Sequence, residues 1–207
     1  MTRSHRPGRR RGRSPPGRLR IVAGKWRSRL LPVAEVEDLR PTSARVRETV
    51  FNWLASSVVG ARCLDLYAGT GALGFEALSR GAASVDFVDA SREATQALGE
   101  AREQLDAEQA RVHRSDAFDY LRGRGATPYD LVFLDPPYAD DSIGELCRLL
   151  GSGDWLADGA RLYFEHPKTG PVPRFPDAWS MTHEKTAGQV RYGLIAAAKM
   201  PPEDEEE

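Results

Sequence analysis

The sequence predicts an α/β fold built on a doubly wound, mostly parallel sheet of seven strands that closes with an antiparallel hairpin. Three observations predict it. Apolar runs alternate with helically spaced stretches between residues 61 and 165. A glycine turn, Gly69-Thr70-Gly71, joins the first of these strands to a helix, and four strands end in acids: Asp65, Asp89, Asp116 and Asp135. In a Rossmann-like sheet such ends line one edge, where ligands bind.

Each element has its own signal. Residues 19–32 read as two short strands around a turn at Gly24-Lys25, with basic side chains and an exposed Trp26 that suit RNA; the alternative is an edge hairpin packed on the core. Thr42 or Ser43 caps a helix over 44–56 whose Val46, Val50, Phe51 and Leu54 face the core. Arg45 and Arg47 fall elsewhere on that helix and, beside Arg40, are expected to wall a substrate cleft. Strand 61–64 leads through the glycine turn to a helix over 72–80 that stops at Gly81. Then follow strand 85–88, helix 92–105, strand 110–113, a short helix over 117–122, strand 129–134, helix 142–150 and strand 161–165. Residues 179–184 and 190–197 make the terminal hairpin, turning at Ala187-Gly188.

With 207 residues and 41% hydrophobic content the chain can bury one sizeable core. Two cysteines are too few for a disulfide framework, so Cys63 and Cys147 read as structural thiols. His5, His113, His166 and His183 lack metal-ligand spacing, and no metal is expected. Arg9-Arg10-Arg11 resembles a twin-arginine signal, but no hydrophobic segment follows and no stretch has membrane length, which points to the cytoplasm. Charge is unevenly spread: eleven basic residues precede the first acid, Glu35, whereas the remaining 18 face 30 acids. Residues 1–17 read as a disordered basic arm, a phosphate-tracking segment or a solubilising tail, and 200–207 as a disordered acidic tail.

The glycine turn narrows the ligand. Gly69 to Gly74 satisfies the dinucleotide pattern G-x-G-x-x-G with Asp89 near the distance expected for a ribose carboxylate, so a nicotinamide enzyme is one reading. S-adenosylmethionine is the better one. Asp65, just before the turn, favours a cationic amino-acid end and would repel a pyrophosphate. Asp116-Ala117 lies where an adenine amino group could be bound, and the nicotinamide reading leaves Asp135-Pro136-Pro137-Tyr138 without a task. That tetrapeptide suits methyl transfer to a planar nitrogen. The carboxylate accepts one amine N–H, a carbonyl locked by Pro136 and Pro137 accepts the other, and Tyr138 stacks on a flipped-out heterocycle.

Four segments together resemble one known family: Leu39-Arg40-Pro41-Thr42, Arg45 to Leu54, Leu64 to Gly74, and Val132 to Tyr138. With Gly24-Lys25-Trp26-Arg27 they are similar to the RsmD family of bacterial 16S rRNA guanine-N2 methyltransferases, over residues 20–199. The resemblance implies a class I S-adenosylmethionine-dependent fold and a guanine in 16S rRNA as substrate, expected to be guanine 966 and to be met within a small-subunit particle. It places the methionine end of the donor on Asp65, Ala68, Gly69, Thr70 and Gly71, the ribose on Asp89, the adenine on Asp116 and Ala117, and the guanine on Asp135, Pro136, Pro137 and Tyr138. Asp89 stands where a glutamate is common and reaches less far. RNA contacts are expected at Lys25, Trp26, Arg27, Arg40, Thr42, Arg45 and Arg47, in an extension spanning 18–58 ahead of a catalytic domain at 59–199. The alternatives are another nucleic-acid amino methyltransferase, and a non-catalytic RNA-binding assembly factor.

Overall fold

A computed structural model describes residues 18–32, 42–123, 128–137, 142–169 and 173–200. The expected basic arm, Arg40, Tyr138 and residues 201–207 of the acidic tail lie outside the described residues.

Strands β1 (Arg18–Arg20) and β2 (Leu30–Pro32) pair antiparallel as a small hairpin. Helix α1 (Ala44–Trp53) follows, with the Ser43 hydroxyl accepting from the Val46 N–H as its cap. The chain then alternates through β3 (Arg62–Leu66), α2 (Ala72–Ser79), β4 (Ser84–Asp89), α3 (Arg92–Gln104), β5 (Ala110–Arg114), α4 (Ala117–Arg122), β6 (Tyr129–Leu134), α5 (Ile143–Ser152) and β7 (Leu156–Pro167). It closes with the hairpin β8 (Ser180–Ala187) and β9 (Val190–Ala196).

The seven-stranded sheet has the order β5-β4-β3-β6-β7-β9-β8, with parallel pairing from β5 to β7 and antiparallel pairing beyond. Strand order reverses between β3 and β6, so a crevice opens above their C-terminal ends. Both faces of the central strands are covered, which is why they read as continuous apolar runs. Cys63, Phe87, Phe133 and Tyr163 join α1, α2 and α3 in one core; Leu64, Val88, Leu134 and Phe164 join α4 and α5 in the other.

Three boundaries depart from expectation. Helix α1 stops at Trp53, because Ser57 N–H bonds Leu54 O and the chain turns. Strand β8 runs on to Ala187. Strand β7 starts at Leu156, ahead of the expected 161, because its first residues pair with Tyr129 and bury Leu156 and Ala160, with Gly159 at φ 72°.

The β1–β2 hairpin is part of the main core: Leu19, Ile21, Trp26 and Leu31 are buried with α1 and α2. Its turn wraps the C-terminal end of α2. The N–H groups of Val22 and Ala23 donate to the buried Glu76 carboxylate at 2.8 and 3.0 Å, Trp26 N–H donates to Ser79 Oγ at 2.9 Å, and Lys25 N–H to Ser79 O at 2.6 Å. Gly24 permits this approach, because at φ 82° any Cβ there would overlap the Ser79 carbonyl.

Candidate active site

The donor half is built on the turn after β3. Tyr67 (φ 62°), Gly69 (φ 52°) and Gly71 (φ 71°) all take left-handed backbone, sparse territory for a tyrosine and a mark of strain held by the flanking strand and helix. Gly71 has no room for a side chain, since a Cβ would come within 2.6 Å of Leu98 and Phe75. Beneath the turn Asp65, 3% exposed, accepts the Gly74 N–H at 2.9 Å. Burial pushes its carboxyl up to about 8, opposed by that hydrogen bond and reinforced by the charge of Asp89. Asp89 accepts the Gly69 and Ser91 N–H groups, each at 2.8 Å, and so ties the glycine turn to the start of α3. Asp116 caps α4, accepting from Phe118 N–H at 2.8 Å and Asp119 N–H at 3.4 Å, with Ala117 buried behind it. Asp65, Ala68, Gly69, Thr70, Gly71 and Asp89 thus form one structure, and Asp116 follows β5, the strand beyond β4.

The acceptor half lies across the strand-order reversal. Asp135 follows β6 directly, and the register Phe133 opposite Tyr163 and Leu134 opposite Phe164 carries Asp135 on beside Glu165. Tyr163 OH donates to Glu165 Oε1 at 2.5 Å, and buried Thr42 acts on both carboxyls to lower them. Burial raises the Asp135 carboxyl well above the usual range, with the charges of Glu165 and Asp65 adding and Thr42 opposing. Burial likewise raises Glu165, against the bonds from Tyr163 and Thr42, and the Tyr163 hydroxyl is raised with them. Pro136 is buried and Pro137 exposed. Glu165 was given no role by sequence reasoning, although the signal was present: it lies near the end of an apolar strand at the same sheet edge as the four aspartates.

The expected RNA-contacting residues divide. Lys25 and Arg27 are exposed, but at the C-terminal end of α2; the glycine turn starts that helix, about 12 Å away at 1.5 Å per residue. Trp26 corrects its expectation: it is 5% exposed and packs in the core, because the backbone bonds of the turn draw it inward. Arg47 is a second correction. It is 3% exposed and donates to Thr42 O at 3.2 Å, Arg20 O at 2.9 Å and Glu76 Oε2 at 3.4 Å. The buried face of α1 is wide enough to include it because Glu76 supplies a partner charge. Thr42 serves the acid pair. Arg45 remains exposed and, with Thr49, Lys185 and Tyr192, lines a groove of about 360 Å³ between α1 and the β8–β9 tip. Beside it Trp53 stacks on His183 (4.9 Å) and Tyr192 (5.6 Å), with Lys185 Nζ over the Trp53 ring.

The chain is similar to known proteins over most of its length. The family model described as "Conserved hypothetical protein 95" matches residues 19–196. The chain is 46% identical to ribosomal RNA small subunit methyltransferase D of Escherichia coli strain K12 over 87% of its own length and 91% of the relative's. It is 41% identical to the protein of that name from Haemophilus influenzae, over 86% and 93%. Among solved structures, "Putative methyltransferase yhhF from Escherichia coli" superposes with a TM-score of 0.82 at 43% identity, covering 89% of this chain and all of that one. With this fold, this glycine turn and this acidic edge, the chain belongs to the RsmD family, alongside the ribosomal RNA small subunit methyltransferases D.

Proposed function

We propose that the chain transfers a methyl group from S-adenosylmethionine to the exocyclic N2 amine of a guanine in 16S rRNA, guanine 966 by family resemblance, within a small-subunit particle in the cytoplasm. The observation that carries this reading is Asp135-Pro136-Pro137 across the strand-order reversal from the Asp65 and glycine-turn site. The site fits such a donor. Among the described residues Asp65 has one N–H partner and no cation, which an amino-acid ammonium would supply, while Asp89 and Asp116 hold carboxylate oxygens at the ends of the next two strands. When bound, the donor supplies an electrophilic methyl on a sulfonium, so the protein's work is alignment, desolvation and acceptance of a proton. Asp135 accepts an N–H of the amine, orienting its lone pair towards the methyl. Tyr138, three residues on, stacks on the flipped base. The RNA backbone follows the groove at Arg45 and Lys185, where exposed cations lie beside the acceptor half.

The test is to incubate the protein with small ribosomal subunits lacking the modification and methyl-labelled S-adenosylmethionine, then map the label. Label on one guanine N2 supports the reading. Label on an adenine, or on protein, replaces it.

A further inference from the structure

Glu165 is buried at 5% exposure and stands near the end of β7, where the register sets it beside Asp135. Tyr163 OH, at 2.5 Å, already satisfies one Glu165 oxygen. Elements packed around the pair bring further acids but commit their cation elsewhere: Asp65 comes from β3 and Tyr192 from β9 opposite Glu165, while Arg47 of α1 is engaged by Glu76 and the carbonyls of Thr42 and Arg20. Two carboxyls so placed hold one negative charge between them more readily than two.

We propose that Glu165 is a positioning residue for the methyl transfer: set beside Asp135 by the strand register, and braced by Tyr163, it makes with Asp135 a proton-sharing acid pair that orients the amine and receives the proton it releases. The inference rests on the reading of Asp135 as the residue that binds the target amine. In the step, the amine nitrogen forms a bond to the methyl carbon as the carbon–sulfur bond breaks, leaving its electron pair on sulfur. One amine hydrogen then leaves as a proton to the ionised member of the pair and later passes to water. A carboxylate made more basic by its neighbour returns more electron density to the nitrogen as it attacks.

Single-turnover methylation of unmodified small subunits with labelled S-adenosylmethionine, followed over pH, reads the effect. Glu165→Gln removes a charge that opposes Asp135 ionisation, so the acid limb of the rate profile moves to lower pH. The plateau rate is expected to fall about tenfold, with the KM for the particle changed less than about twofold. Thr42→Val should instead move the limb to higher pH, because Thr42 opposes the rise of Asp135, and Thr42→Ser should restore the wild-type profile, because only the hydroxyl matters. An independent readout needs no substrate: carbon-13 carboxyl NMR of the free protein, in which Asp135 should titrate at lower pH in Glu165→Gln. If the Asp135 titration is unmoved in both Glu165→Gln and Thr42→Val, the pair does not exist, whatever the enzyme methylates. If it moves but no methyl reaches guanine in the wild type, the functional reading fails and the pair stands. A lower rate with an unshifted acid limb, or loss of KM and rate together, would reduce Glu165 to a structural residue.

Discussion

In the donor half of the sheet edge Asp89 and Asp116 are each held by two backbone N–H groups, whereas in the acceptor half Asp135 and Glu165 meet each other, with the Tyr163 hydroxyl on Glu165. The contrast is chemical. Backbone N–H groups only donate, so they fix where a carboxylate points and suit a ligand whose charge does not change. Hydroxyls donate and accept, so the acids they serve can gain and lose a proton. Asp65 stands between the two, with one backbone bond and deep burial, and its charge depends on what binds.

The strongest test of this division is Asp135→Asn, which keeps the shape and removes the charge. Turnover should fall about 100- to 1,000-fold, as when a preorganised transition-state contact is lost. Calorimetric affinity for S-adenosylmethionine should stay within about twofold of wild type if the halves are separable. Comparable losses in both would show that the edge works as one unit.

Asp65→Asn should act the other way round, on the donor and on stability. Donor affinity is expected to drop about tenfold or more with the loss of a charge-assisted bond. The fold, however, should gain. Unfolded, this carboxyl ionises near 3.8, but in the fold only near 8. As pH rises through that window the unfolded chain ionises first, and stability is lost across it. An amide keeps the Gly74 contact without that cost, so Tm at neutral pH should rise; a fall would mean that Asp65 is already paired in the free protein.

The same carboxyl predicts a pH dependence. Binding an ammonium selects ionised Asp65, so donor association should release a proton and tighten as pH rises towards about 8, by at most tenfold per unit. Calorimetry in buffers of different ionisation enthalpy measures that proton. Asp65→Asn should release none.

Much of this edge was legible in the sequence because its signals are local: a glycine turn after an apolar strand, and an acid followed by two prolines. Glu165 was harder to see, since its meaning lies in its register with Asp135 and in Thr42, more than 120 residues away in sequence. The basic N-terminal segment misled for a related reason. Charge in a sequence suggests exposure, but Glu76, itself a helix residue with no local mark, buries Arg47 and gathers the hairpin backbone. Trp26 follows that backbone inward.

The smallest expected effect separates two basic surfaces. Arg45 and Lys185 border the groove beside the acceptor half, while Lys25 and Arg27 project from the hairpin at the far end of α2. If RNA enters along the groove, Arg45→Ala with Lys185→Ala should weaken particle binding about three- to tenfold and lower the slope of affinity against salt, since fewer counterions are released. Lys25→Ala with Arg27→Ala should change binding less than about twofold, because charges remote from the bound strand are screened beyond a Debye length of roughly 8 Å at physiological salt. Neither pair touches the donor site, so calorimetry with S-adenosylmethionine should not distinguish them from wild type. The salt titration decides between the surfaces: a reduced slope for the hairpin variant and an unchanged one for the groove variant would return the RNA to the hairpin.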